Sequence, residues 1–164
     1  MICKSLLFLL LLGVLKTSDG YSSGDPSSAC EDMVPQHHTP PQTSPFPYAV
    51  VLNKKEVKSG ESVTVTITGT EAAKNFKGFF VQARVGDVAV GKFLKTKNVD
   101  LVNCGDSKES GATHDSSDVK EKVVLTWNAP EGLSETVRFR VTVAKDGGTF
   151  WVGHLTEPVV VKAN

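Results

Sequence analysis

ESVTVTITG, from Glu61 to Gly69, is the stretch whose reading decides the fold. Val63, Val65 and Ile67 alternate with Ser62, Thr64, Thr66 and Thr68. Side chains along a strand point to opposite faces in turn, so this run predicts a strand with one apolar face in a core and one hydroxyl face toward water. The same period of two returns at Val123, Leu125 and Trp127, and again at Val137, Phe139, Val141 and Val143. GFFVQARV and DVAVGKFL, joined at Gly86-Asp87, predict a hairpin, and TFWVG and the terminal PVVVKA add further strands. No stretch carries a helical period. With about seven to nine short strands and turn signals about every 8 to 12 residues, the chain is predicted to be all-β, an antiparallel two-sheet sandwich of immunoglobulin-like type.

Upstream of this body the pattern changes. Lys4, the apolar run Leu6 to Leu15, and the small residues Ser18 and Gly20 predict a signal peptide over residues 1–20, cut before Tyr21. That run is too short to span a bilayer, and nothing later is apolar for long enough, so no membrane span is expected. The predicted product is exported. Removing the leader takes Cys3 with it and leaves two cysteines, Cys30 and Cys104, in a compartment where thiols oxidise. About 144 residues remain, enough for one domain with a sizeable core.

Residues 21–47, rich in Ser, Pro, Gln and His, are read as a proline-rich N-terminal arm, disordered to about Ala29 and pinned at Cys30, with the sandwich at 48–164. The stretch from Lys95 to Val119 is read as a long polar loop that holds Cys104. A bridge between Cys30 and Cys104 would tie that loop to the arm.

Charge and motifs exclude more than they assign. Eighteen basic residues balance eighteen acidic ones in the full chain, and loss of the leader leaves a formal charge of about −1. Nucleic acid, which demands a basic protein, is therefore not an expected partner. The chain has no GxSxG elbow, HExxH, Walker loop or CxxC, so no catalytic residue, cofactor or metal is assigned and the protein is not read as an enzyme. His37 and His38 are neighbours on extended chain and point apart, which disfavours joint ligation. His114 before Asp115 fits a loop-organising hydrogen bond better than a dyad without a nucleophile. Trp127 and Trp151 are read as packing residues.

Two basic stretches carry two open readings. Lys92, Lys95 and Lys97 surround Phe93 and Leu94, and Arg138 and Arg140 flank Phe139. With Lys74, Lys77 and Arg84 they would build a cationic face with apolar neighbours, suited to an anionic amphiphile or envelope polymer. Alternatively they are ordinary solvent-facing strand positions, where lysines also discourage edge-to-edge aggregation.

The ordered landmarks add a resemblance. CEDMVPQHH at Cys30 to His38, SGESVTVTITG at Ser59 to Gly69, FKGFFVQAR at Phe76 to Arg84, GKF at Gly91 to Phe93, Cys104, Thr113-His114, LTWNAP at Leu125 to Pro130 and Phe150-Trp151 together resemble the reeler (reelin-like) domain. They are most similar to the short secreted insect defence proteins made of a leader and one such domain. Phe150 departs from the family, which often shows Tyr there. The landmarks run to about Gly153, and the implied domain spans about 30–164. The resemblance implies bonded half-cystines Cys30 and Cys104, a role in humoral innate immunity with antimicrobial activity, and binding of lipopolysaccharide, lipoteichoic acid or β-glucan in a haemolymph-like fluid. An adhesion module acting on host matrix or blood cells is the alternative. The family supplies no ligand-contact residues to carry over.

Overall fold

The computed structural model describes residues 27–37 and 39–164. The predicted leader at 1–20, the first residues of the arm and His38 lie outside the described residues. Among the described residues a single 3-10 turn, Ser27–Ala29, precedes twelve strands. In chain order these are β1 (Ala49–Leu52), β2 (Glu56–Lys58), β3 (Ser62–Thr68), β4 (Gly78–Val85), β5 (Val88–Ala89) and β6 (Lys92–Phe93). They continue with β7 (Val99–Cys104), β8 (Ser107–His114), β9 (Lys122–Asn128), β10 (Glu135–Asp146), β11 (Thr149–Leu155) and β12 (Val159–Lys162). Among the described residues no helix is long and apolar enough to cross a membrane.

The strands form two packed sheets. The smaller runs β1-β3-β9-β6, and the larger runs β2-β12-β10-β4-β8-β7, with β11 on β10 and β5 on β4. The alternating runs drive this pairing. Val63, Val65 and Ile67 lie opposite Trp127, Leu125 and Val123 in register, so their apolar faces coincide, and Val137, Phe139, Val141 and Val143 close the core from the larger sheet. Trp127 meets Phe139 edge to face at 5.5 Å, and its Nε1 donates to the Val90 carbonyl at 2.9 Å. Burying each such side chain stabilises the fold by about 1.5 to 3 kcal/mol. Gly91, at φ +72°, lies directly under the Trp127 indole, where any Cβ would collide.

Three expectations need correction. The predicted loop from Lys95 to Val119 contains the β7–β8 hairpin, and β8 is an interior strand of the larger sheet. Its buried stretch is Ser110-Gly111-Ala112-Thr113, residues too small and polar to show an apolar period. DVAVGKFL is not one strand. Val88–Ala89 completes the predicted hairpin with β4, after which the chain crosses and Lys92–Phe93 pairs with β9 in the other sheet. The sheets are also not wholly antiparallel, since β2 and β12 pair in parallel.

The larger sheet has a second, smaller core on its outer face. Phe79, Val81 and Ala83 of β4 point into the main core, while Phe80 on the other side packs with Met33, Val102 and Cys104. The arm covers this face. Cys30 and Cys104 are bonded, with Cα atoms 5.5 Å apart and a sequence separation of 74. Thr142 Oγ1 donates to the Met33 carbonyl at 2.9 Å, and Met33 and Ala29 are buried. Farther along, the Gln42 amide donates to the Phe150 carbonyl at 2.8 Å and Phe46 stacks on His154 at 4.1 Å. From Ser27 onward the described part of the arm is thus tied to the body.

Candidate ligand-binding site

Strand β10 sets the site. Because Phe139 faces the core, alternation turns Thr136, Arg138 and Arg140 outward. Register places Arg84 of β4 opposite Arg138, and Leu155 of β11 opposite Arg140. With the Gly86-Asp87 turn and Gly153 these residues line a cleft of about 370 Å³. Gly153 has φ +69°, and a Cβ there would sit 2.8 Å from Arg140 Nε, so glycine lets the guanidinium lie close over the backbone.

The three arginines have different duties. Arg84 is buried; its Nε donates to Gln82 Oε1 at 2.8 Å and its Nη2 to the carbonyls of Cys30 and Glu31. Gln82 Nε2 in turn lies 2.8 Å from Cys104 Sγ, so one polar chain links β4 to both ends of the disulfide. Desolvation, and then the charge of Arg140, lower the pKa of Arg84, while Asp87 and Glu31 oppose that shift. Guanidinium nonetheless stays charged in proteins. Arg138 Nη1 donates to the Thr156 carbonyl at 3.0 Å. The Arg140 guanidinium has no hydrogen-bond or ion-pair partner among the described residues, although its backbone pairs with β4 and β11. Such a cluster of forked donors around a concave floor suits a phosphate or carboxylate group, with the exposed Leu155 beside it for an apolar neighbour.

The predicted cationic face does not assemble as one surface. Phe93 and Phe139 meet in the core from different sheets, with ring centroids 6.4 Å apart, and Lys92 and the arginines flanking Phe139 line separate clefts. Lys92 lies 3.8 Å from Glu109 Oε2 and borders a second cleft, of about 500 Å³, shared with Leu94, Asp106, Lys108 and Glu109. Lys95 pairs with Asp100 at 3.0 Å, and that hydrogen bond, followed by one from the Leu101 amide, lowers the Asp100 pKa. Lys97 is exposed in the same crossover between β6 and β7, and Lys74 and Lys77 are exposed outside the cleft. Arg84, a candidate for that cationic face, is instead buried, because the arm folds over it. The pull of β4 toward an arm far away in sequence left no mark in the local pattern.

The described histidines take structural positions. His37 Nδ1 is 2.6 Å from the Gly147 carbonyl, and His114 Nδ1 accepts from the Phe79 amide at 3.3 Å. Asp115 acts on the Lys120 ammonium, whose pKa desolvation lowers. Lys120, which sequence reasoning missed, is buried and donates to the carbonyls of Lys77, Ser116 and Asp118 at 2.7 to 3.0 Å, fixing the turn into β9.

Comparison with known proteins places this geometry. The model of the Reeler domain matches residues 28–164. "Putative defense protein Hdd11" of Hyphantria cunea is 40% identical over 152 residues, covering 90% of this chain and 92% of its own. "Putative defense protein" of Bombyx mori is 37% identical over 166 residues, covering 97% and 96%. "Putative ferric-chelate reductase 1" of Danio rerio is 34% identical over 97% of this chain, which spans 29% of that longer protein. Among solved structures, the human F-spondin reeler domain superposes with a TM-score of 0.58 at 15% identity, covering 76% of this chain and 94% of its own, a likeness of fold.

Proposed function

This chain belongs to the Reeler domain family, and on that premise we propose that it is an extracellular defence protein that acts by binding anionic groups of microbial envelopes. The names of its insect relatives support the defence role. The observation that carries the binding mechanism is the outward cleft in which Arg138 and Arg140 stand beside Arg84 over Gly153. Phosphate or carboxylate groups of lipopolysaccharide or lipoteichoic acid would take the guanidinium forks, and acyl or sugar surfaces would lie against Leu155. The site binds and holds; it makes and breaks no bonds. Lys92, Lys95 and Lys97, outside this cleft, contribute only through long-range attraction.

The test is a salt-graded binding panel of the exported protein against lipopolysaccharide, lipoteichoic acid, β-glucan and host haemocytes. Binding to the first two should weaken as salt rises, because exposed charges are screened within about 10 Å at 0.1 M. Arg138→Gln and Arg140→Gln should each weaken it by about tenfold, the scale of one charge-assisted hydrogen bond. Salt-insensitive binding, or recovery of host cells alone, would favour the adhesion alternative.

A further inference from the structure

We propose that the exposed ribbon Thr39–Pro45 is an O-glycosylation site, with Thr43 as its principal acceptor and Thr39 as a second. This rests on the reading of the chain as exported. Residues 39–45, TPPQTSP, are all exposed and belong to no strand, although they run against the edge of β11. Prolines at 40, 41 and 45 hold the backbone extended and remove the amides that would let it join the sheet. Ser/Thr-Pro chain of this kind is the substrate form of mucin-type glycosylation. The body fixes its presentation. The Gln42 amide is bound to the Phe150 carbonyl at 2.8 Å, and Trp151 Nε1 donates to Ser44 Oγ at 3.1 Å, which ties down Ser44. The Thr43 hydroxyl has no hydrogen-bond partner among the described residues. The chain contains no Asn-x-Ser/Thr sequon, so N-linked glycan is not expected to compete with this site.

In the transfer, Thr43 Oγ1 bonds to the anomeric carbon of a nucleoside-diphosphate N-acetylhexosamine. The bond from that carbon to the diphosphate breaks, and the hydroxyl proton leaves with the nucleoside diphosphate. The full chain, expressed in insect cells, would be weighed intact from the medium and then fragmented. Increments of N-acetylhexosamine on the 39–45 peptide are expected; they should be lost in the Thr39→Ala, Thr43→Ala double variant and kept in Ser44→Ala. Secreted protein of unmodified mass, or increments confined elsewhere, would overturn the proposal while leaving export intact. Protein retained unmodified in the cell would sink the export reading and this proposal with it. Incubating the purified, folded full chain with a polypeptide N-acetylgalactosaminyltransferase and its nucleotide sugar should label Thr43 directly, and failure to label overturns the proposal whatever the route of export.

Discussion

The two outer faces of the sandwich start from the same alternation and end in opposite environments. On the smaller sheet the outward residues of β3 are Ser62, Thr64, Thr66 and Thr68, flanked by Val51 and Val124, which are 59% and 45% exposed. The Ser62 hydroxyl donates to Asn128 Oδ1 of the neighbouring strand at 2.8 Å, and no distant segment covers this face. On the larger sheet the outward Phe80, Gln82 and Arg84 of β4 and Thr142 of β10 are buried. Each polar group there has found a partner in the arm, the disulfide or a neighbouring strand. Among the described residues no buried side-chain nitrogen or oxygen lacks a hydrogen bond. A covered face can therefore hold charged groups in fixed positions, while an open face only keeps its sheet wet. The arginine cleft sits at the border of the covered region for that reason.

The largest way to break the contrast is to release the arm. Cys104→Ala should lower stability by about 2 to 5 kcal/mol, read by thermal unfolding without reductant. An unchanged transition would mean the covered face does not depend on its latch. Arg84→Met removes the donors to Cys30, Glu31 and Gln82 and should cost about 2 to 3 kcal/mol, with faster proteolysis of the arm. Wild-type stability and proteolysis would show that the disulfide alone holds it.

Acid should loosen the sandwich more gently, and from the other side of the larger sheet, where His154 lies opposite the core residue Val141 and stacks on Phe46. Burial lowers the His154 pKa below its ordinary value of 6.5, so the unfolded chain takes up a proton before the folded one does. Stability is then full above that ordinary value, falls as pH drops from it toward the lowered folded value, and is level in this respect below both. His154→Gln should flatten the curve in that window, as measured by denaturant midpoints against pH. Smallest of all, Thr66→Ala on the open face should change stability by no more than about 0.5 kcal/mol. A larger loss would show that this face has an unseen partner.

Legibility followed the same division. Strands β3, β9 and β10 announced themselves because each packs one face on the main core, and Val63, Leu125 and Phe139 keep the period that burial imposes. Strand β8 was hidden, since an interior strand made of Ser110, Gly111, Ala112 and Thr113 has no apolar stripe. Arg138 and Arg140 were found as outward charges around Phe139, but their grouping with Arg84, Gly153 and Leu155 depends on register among three strands. Lys92 and Arg138 look alike in sequence. Only the crossover after β5 sends them to different sheets and separate clefts.

By itself the sequence determined an all-β body, its core residues and the pair of sulfurs available to bridge, because side-chain alternation and cysteine count are local quantities. The tertiary structure decided which outward residues are wet. It folded the arm over β4, buried Arg84 as its clamp and left Arg138 and Arg140 at the rim, since burial of a strand's second face is set by whatever distant chain lands on it.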